Sequence, residues 1–114
     1  MKGLIIKSPW IEQILEGHKT WEIRGSNTKI RGQIALIKSG SGHVYGTVDL
    51  VDCKKLNATT YQSGERYHGI SRDECQVMPY KNTHAWVLEN PQIFANPVPY
   101  QHPMGAVIWV NLDS

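Results

Sequence analysis

Residues 8–24, with the sequence SPWIEQILEGHKTWEIR, constrain the fold of this chain more than any other segment. A proline suits the first position of a helix, where no amide hydrogen is needed, and Ser8 before it is predicted to cap that helix. Apolar residues then recur at helical spacing. Gly17 fits the left-handed conformation that ends many helices. We therefore predict a helix over residues 9–16, followed closely by a strand over residues 20–24.

Three charged residues, Lys19, Glu22 and Arg24, follow the glycine at close spacing. In a regular strand Glu22 and Arg24 share one face, and Lys19 lies on the other. Lys19 can therefore meet Glu22 only if it lies in the turn before the strand, which the preceding glycine allows. Such a pair is either a proton-sharing dyad or a plain salt bridge. Desolvation by Trp10 and Trp21, together with the nearby arginine, would lower the pKa of the lysine.

The rest of the chain alternates between strand signals and one polar insertion. Apolar patterns predict further strands at residues 4–7, 33–38, 44–51, 84–89 and 106–112. Residues 33–38 are apolar on both faces, which indicates a central strand. Residues 57–81 are polar, with weakly helical pieces at 59–67 and 71–77. They are predicted to form a helical excursion over the sheet, as a lid or, as we favour, a plug. Four prolines in residues 90–103 predict extended or turned structure there.

Length and composition limit the class of protein. A chain of 114 residues is long enough for one domain with a real core, so we expect a single domain over residues 1–114. The hydrophobic fraction is 40% and the net charge is +2, which is too mild to indicate nucleic acid by itself. The longest apolar run has the length of a strand, and the apolar stretch at the N-terminus is too short for a signal peptide. We therefore expect no membrane association and a cytoplasmic location. We also expect a monomer.

The cysteines and histidines give little sign of a cofactor. The two cysteines lack a pairing motif, so we expect two reduced thiols. None of the five histidines is at ligand spacing from a cysteine. The sequence therefore predicts no metal site and no organic cofactor.

Five motifs resemble one known family. The first is Pro-Trp, an apolar helix and Gly-x-Lys-Thr-x-Glu-x-Arg. The others are Ile-Arg-Gly-Gln-Ile-Ala at 30–35, Gly-Thr-Val-Asp-Leu-Val-Asp-Cys at 46–53, Ala-Trp-Val-Leu-Glu-Asn-Pro at 85–91 and Pro-Met-Gly-Ala-Val-Ile-Trp at 103–109. In this order they resemble the activating-signal-cointegrator homology (ASCH) domain, which is PUA-like. The resemblance implies an α+β fold: a mixed, mostly antiparallel β-barrel of five or six strands, with one main helix and a short helical excursion.

The resemblance also implies a chemistry. Some small ASCH proteins are amidohydrolases that remove the acyl group from N4-acylated cytidines such as N4-acetylcytidine, without a metal. The motif lysine, the residue three positions on and a glutamate of the later helical segment are catalytic there. Here these are Lys19, Glu22 and Glu65, with Glu74 as the alternative third carboxylate. The shortest such enzyme has threonine where Glu22 stands. We therefore expect Glu22 to act as a base on water or a proton relay, while Lys19 polarises the amide oxygen or acts directly.

Aromatic and polar residues near the motif are candidates for binding the substrate, because stacking holds a flat base and hydroxyls hold a ribose. The predicted substrate-binding residues are Ser8, Trp10, Trp21, Arg24, Ser39 and His68. Plainer roles compete for several of them. Ser8 and Ser39 also fit capping and turn roles, and Trp10 also fits core packing. For His68, which could orient a phosphate or serve as an acid, we favour a surface histidine without a role.

Three functions fit the Lys-x-x-Glu motif. The first is the amidohydrolase acting on a modified cytidine nucleoside. The second is a non-catalytic module that binds RNA or a modified nucleotide. The third is a ribonuclease of the same family. A domain that stands alone with modest charge favours the small substrate, because an RNA-binding module usually needs a wider basic face.

Overall fold

The computed structural model describes residues 1–112 of the chain. In that range it has six strands and three helices, and none of these helices is long and apolar enough to cross a membrane. The elements are β1 (Lys2–Ile6), α1 (Trp10–Leu15), β2 (Trp21–Arg24), β3 (Gly32–Lys38), β4 (His43–Lys55), α2 (Ala58–Gln62), α3 (Glu65–His68), β5 (His84–Pro99) and β6 (Trp109–Asn111).

The strands form one curled sheet that makes a half-barrel, in the order β2-β5-β4-β3-β1-β6. β1 and β3 are parallel, and the other neighbouring pairs are antiparallel. A parallel pair needs a crossover connection, which α1 and β2 supply between β1 and β3. The fold is the α+β, mostly antiparallel architecture that the sequence predicts, with β2 at one edge of the sheet.

β3 is buried on both faces, as its continuous apolar sequence predicts. Ile34 and Leu36 pack into the main core, and Ala35 and Ile37 pack into a smaller cluster. α1 closes the main core with its apolar stripe. That core consists of Leu4, Ile6, Ile11, Ile14, Leu15, Ile34, Leu36, Val48, Leu50, Trp86 and Leu88.

α1 ends where the sequence predicts and begins differently. Gly17 has φ +84°, the left-handed conformation expected of a glycine after the last turn. The predicted cap at Ser8 is wrong. The N-cap position belongs to Pro9, whose carbonyl accepts the hydrogen bond from the Gln13 amide at 3.2 Å.

The excursion is less helical than predicted. A single helix over residues 59–67 is wrong, because the chain breaks at Gly64 into α2 and α3. Gly64 lies so close to β2 that a Cβ there would sit 3.0 Å from the ring of Trp21. The predicted helix at residues 71–77 is also wrong. This polar segment forms a turn instead, in which the Cys75 amide donates a hydrogen bond to the Ser71 carbonyl. The Cys75 side chain is buried.

β5 is longer, and β6 shorter, than predicted. β5 continues past residue 89 to Pro99, through three of the prolines. This is tolerated because β2 pairs only with residues 84–87 of β5, so the later residues border an edge where amide hydrogens are not needed. β6 covers only the end of the predicted strand at 106–112.

Candidate functional site

The connection between α1 and β2 places Lys19 beside the strand. The amides of His18 and Lys19 both donate to the carbonyl of Gln13, at 2.9 and 3.1 Å. Lys19 thus precedes β2 rather than lying in it, which is the condition that the sequence sets for a contact with Glu22. Its Nζ lies 3.9 Å from Glu22 Oε1. That distance is an ion-pair contact, longer than a hydrogen bond.

Lys19 is buried in an unusual setting for a lysine, with only 2% of the residue exposed. Its Nζ donates to the carbonyl of His68 at 2.5 Å and lies 5.0 Å from the ring centroid of Trp10. Burial lowers the pKa of the ammonium to about 8, Glu22 raises it, and Arg24 lowers it further. The amine is therefore much closer to a neutral base at physiological pH than an exposed lysine is.

Arg24 holds Glu22 from the same face of β2, as the two-residue period of a strand requires. Its Nε and one terminal nitrogen lie 2.9 and 2.8 Å from Glu22 Oε2. The same terminal nitrogen donates to the carbonyl of Ile5 at 2.8 Å. Arg24 therefore spans the gap between β2 and β1, where the half-barrel is open. Because both contacts between Arg24 and Glu22 use Oε2, the other carboxylate oxygen of Glu22, Oε1, faces Lys19.

These side chains line a cavity of about 240 Å³ at the open side of the sheet. Its walls combine four charged groups with aromatic and aliphatic residues. They are Ile5, Lys7, Trp10, Lys19, Glu22, Ile23, Arg24, Tyr61, Ile70, Pro79 and Tyr80. The excursion over residues 57–81 contributes four of these residues, so it forms one wall of the cavity, and it also buries Tyr61 and Cys75 in a core cluster.

The match to a known family follows the same segments. The sequence profile of the ASCH domain matches residues 4–98. The chain belongs to the ASCH domain family. No curated protein shows significant similarity to it.

Crystal structures of the ASCH protein from Zymomonas mobilis share the fold. The unsubstituted protein superposes with a TM-score of 0.71 at 17% identity, covering 86% of this chain and 72% of that one. One single-substitution variant of it gives a TM-score of 0.73 at 16% identity, covering 96% and 85%. A second variant gives 0.71 at 17% identity, covering 86% and 74%. At this identity the likeness supports the fold of the ASCH domain alone.

Within this ASCH domain, four of the predicted site residues meet at the cavity: Lys19, Glu22, Arg24 and Trp10. Tyr80, an exposed aromatic of the cavity wall, was not among the predicted site residues. Its ring packs against Gly25, where a Cβ would lie 2.8 Å from Tyr80 Cδ1. The glycine directly after β2 was the one local signal for this packing.

The other predicted residues lie at different places. Trp21 stacks on Tyr67 with ring centroids 4.6 Å apart, and both border a separate surface depression. Ser39 lines a second cavity, of about 460 Å³. Ser8 is exposed before α1. Glu65 begins α3 and is exposed to solvent.

His68 differs most from its prediction. The expectation of a surface histidine is wrong, because the residue is completely buried beneath α2. Its contact with the site is through the backbone carbonyl, which accepts from Lys19. Glu74, the alternative carboxylate, is exposed. Within residues 1–112, no group of three or more His, Cys, Asp or Glu side chains lies together as metal ligands.

Proposed function

We propose that this ASCH domain is an amidohydrolase that removes the acyl group from N4-acylated cytidine nucleosides. The observation that carries the proposal is the buried amine of Lys19, with a pKa of about 8, beside Oε1 of Glu22. Amide hydrolysis needs a base for water and a positive group for the oxygen that becomes negative. The two side chains offer both, 3.9 Å apart.

Glu22 is the proposed base. Arg24 fixes Oε2 by two contacts, so Oε1 is oriented toward Lys19 and the cavity. A water molecule bound to Oε1 would lose its proton to Glu22 as its oxygen attacks the acyl carbon. The protonated carboxyl group of Glu22 then gives the proton to N4 of the cytosine as the carbon–nitrogen bond breaks. The products are cytidine and the free carboxylic acid, so one water is consumed per amide.

Lys19 is the proposed electrostatic stabiliser. An ammonium has three donors, and the His68 carbonyl takes one of them. The remaining donors can bind the acyl oxygen while it carries negative charge, which is most effective in a desolvated site. Because the ammonium is lost as the pH passes the lysine pKa of about 8, kcat is expected to fall above that pH.

The aromatic walls suit a flat base. Trp10 lies beside Lys19, and Tyr80, which is 44% exposed, also lines the cavity. Each offers a ring on which a pyrimidine can stack. We assign the cytosine ring to these walls, so that N4 points toward Lys19 and Glu22.

Binding of RNA is the second candidate, and one observation favours it. Ile5 lines both the site cavity and the second cavity of about 460 Å³ near Ser39, so the two are neighbours across β1. A ligand longer than one nucleotide would cover both. This reading keeps Lys19 and Arg24 as phosphate-binding groups of a non-catalytic module or a ribonuclease.

The deciding experiment is incubation with N4-acetylcytidine, with release of cytidine followed by absorbance. We expect turnover by the wild-type protein and its loss in Lys19→Ala and Glu22→Gln. Lys55→Ala, which removes an exposed lysine of β4, is the matched control and should retain turnover. Full activity in a folded Lys19→Ala protein would remove the lysine from the mechanism. Submicromolar binding of unmodified RNA with a steep salt dependence, and no turnover, would replace the amidohydrolase with the RNA-binding function.

A further inference from the structure

His68 uses both ring nitrogens to join two segments of the excursion. The Ile70 amide donates to Nδ1 at 3.0 Å. The ring hydrogen therefore lies on Nε2, which donates to the carbonyl of Tyr61 at 2.6 Å. The ring also packs on Tyr61, with centroids 5.0 Å apart. A neutral imidazole with one defined tautomer thus ties α2 to the turn after α3.

The end of α3 is hydrogen-bonded to the segment that carries Lys19. The last carbonyls of a helix have no partners within the helix, so they are available to other groups. Here the Tyr67 carbonyl accepts from the Thr20 amide at 2.8 Å, and the His68 carbonyl accepts from Lys19 Nζ at 2.5 Å. Gly69, with φ +75°, ends α3 in the left-handed conformation, and the His68 ring packs on Tyr61 of α2.

We propose that the His68 ring is a positioning group for Lys19: while neutral, it holds the end of α3 in place, and its protonation releases the carbonyl that orients the amine. The activity part of this inference rests on the proposed amidohydrolase function. The ring does not touch the substrate. It acts through the backbone on Lys19, 49 residues earlier in the chain.

Protonation opposes the observed contacts directly. A proton on Nδ1 would face the Ile70 amide hydrogen, so that hydrogen bond must break. Burial lowers the pKa of His68, the Tyr61 carbonyl raises it, the Lys19 ammonium lowers it and the Glu65 carboxylate raises it. The Ile70 amide also acts on the ring, through its hydrogen bond to Nδ1. The net lowering places the release below the ordinary histidine value of 6.5.

The first test needs no substrate. Nuclear magnetic resonance of the wild-type protein reports the His68 tautomer, the His68 titration and the amide signals of Ile70 and Thr20. We expect the Nε2–H tautomer and one shared midpoint, below pH 6.5, for the ring and both amides. An Nδ1–H tautomer, or a ring that titrates while both amides stay unchanged, would overturn the inference.

We call the two hydrogen bonds of the His68 ring, to the Tyr61 carbonyl and the Ile70 amide, the clamp. Variants separate the titration of the clamp from general pH effects. His68→Gln keeps an amide donor toward Tyr61 and cannot titrate in this range, so the shared midpoint should disappear. His18→Gln, which removes an exposed histidine next to Lys19, should leave the midpoint in place. If the glutamine variant fails to fold, the wild-type titration alone still decides the inference.

The second test uses turnover. We expect kcat on N4-acetylcytidine to fall on the acid side with the midpoint measured for His68, and His68→Gln to lower kcat about 10- to 100-fold at neutral pH, as small misplacements of catalytic groups do. The KM should change little, because the His68 ring lies away from the aromatic walls to which we assign the cytosine. Coupled amide signals without any turnover would reject the amidohydrolase and keep the clamp. Turnover with uncoupled signals would reject the clamp and keep the enzyme.

Discussion

Replacing Lys19 by methionine is expected to change the pH dependence of stability in a defined direction. The folded protein lowers the pKa of this lysine from 10.5 to about 8, chiefly by burial. The ammonium is therefore roughly 3 kcal/mol more costly to bury than the neutral amine. Below pH 8 both the folded and the unfolded wild-type chain carry the charge, so the folded state bears this full cost. Methionine has similar length and bears none of it.

The sign follows from proton binding. Between pH 8 and 10.5 the unfolded chain binds more protons at this lysine than the folded chain does, so wild-type stability rises with pH in that window. The methionine variant lacks this rise. We expect the difference in free energy of unfolding to move by roughly 2–3 kcal/mol in favour of wild type between pH 7 and pH 10. The value at pH 7 itself also depends on the His68 carbonyl, which loses its donor.

Urea denaturation of both proteins at intervals of one pH step measures this difference. Lys55→Met, at an exposed position of β4, corrects for the loss of one positive charge from the whole protein. A difference between wild type and Lys19→Met that stays constant from pH 7 to 10 would refute the reasoning. It would mean that the amine reaches solvent in the folded state.

Three further substitutions and one change of salt concentration have expected outcomes. Gly46→Ala places a Cβ 2.3 Å from the backbone oxygen of Gln92, so overpacking should lower the free energy of unfolding by at least about 1–3 kcal/mol, measured by urea denaturation; an unchanged midpoint would contradict the close approach of β4 and β5. Arg24→Gln leaves buried Glu22 with Lys19, 3.9 Å away, as its remaining cation, so we expect a loss in stability smaller than the roughly 3–5 kcal/mol of an uncompensated buried charge, together with loss of turnover; a variant as stable as wild type would show that the Arg24–Glu22 pair is not structural. Trp10→Leu should weaken binding of a cytidine analogue by roughly 1–3 kcal/mol in a fluorescence titration, and an equal dissociation constant would place the base elsewhere. In wild type the KM for the nucleoside should change less than about threefold between low and physiological salt, because a neutral substrate is not held by exposed charges; a steep dependence would indicate phosphate contacts.

The sequence determined the local geometry around the site. Gly17 predicts the end of α1, and its position allows Lys19 to lie in the connection before β2. The period of a strand then places Glu22 and Arg24 on one face. These rules depend on backbone preferences over a few residues, which is why the condition for a contact between Lys19 and Glu22 could be stated without tertiary contacts. The family motifs also predicted the α+β fold, because they mark consecutive helices and strands along the chain.

Only the tertiary structure decided what these side chains can do. The pKa of Lys19 depends on burial, and the groups packed around its amine include the His68 carbonyl, which lies 49 residues away in the chain. His68 was predicted at the surface because its polar neighbours indicate exposure, yet its ring fills the space under α2. Desolvation and long-range hydrogen bonds are properties of the packed molecule. The sequence therefore determined which residues form the charged motif, and the packing of the excursion against β2 decided that one of them is a buried amine facing a cavity.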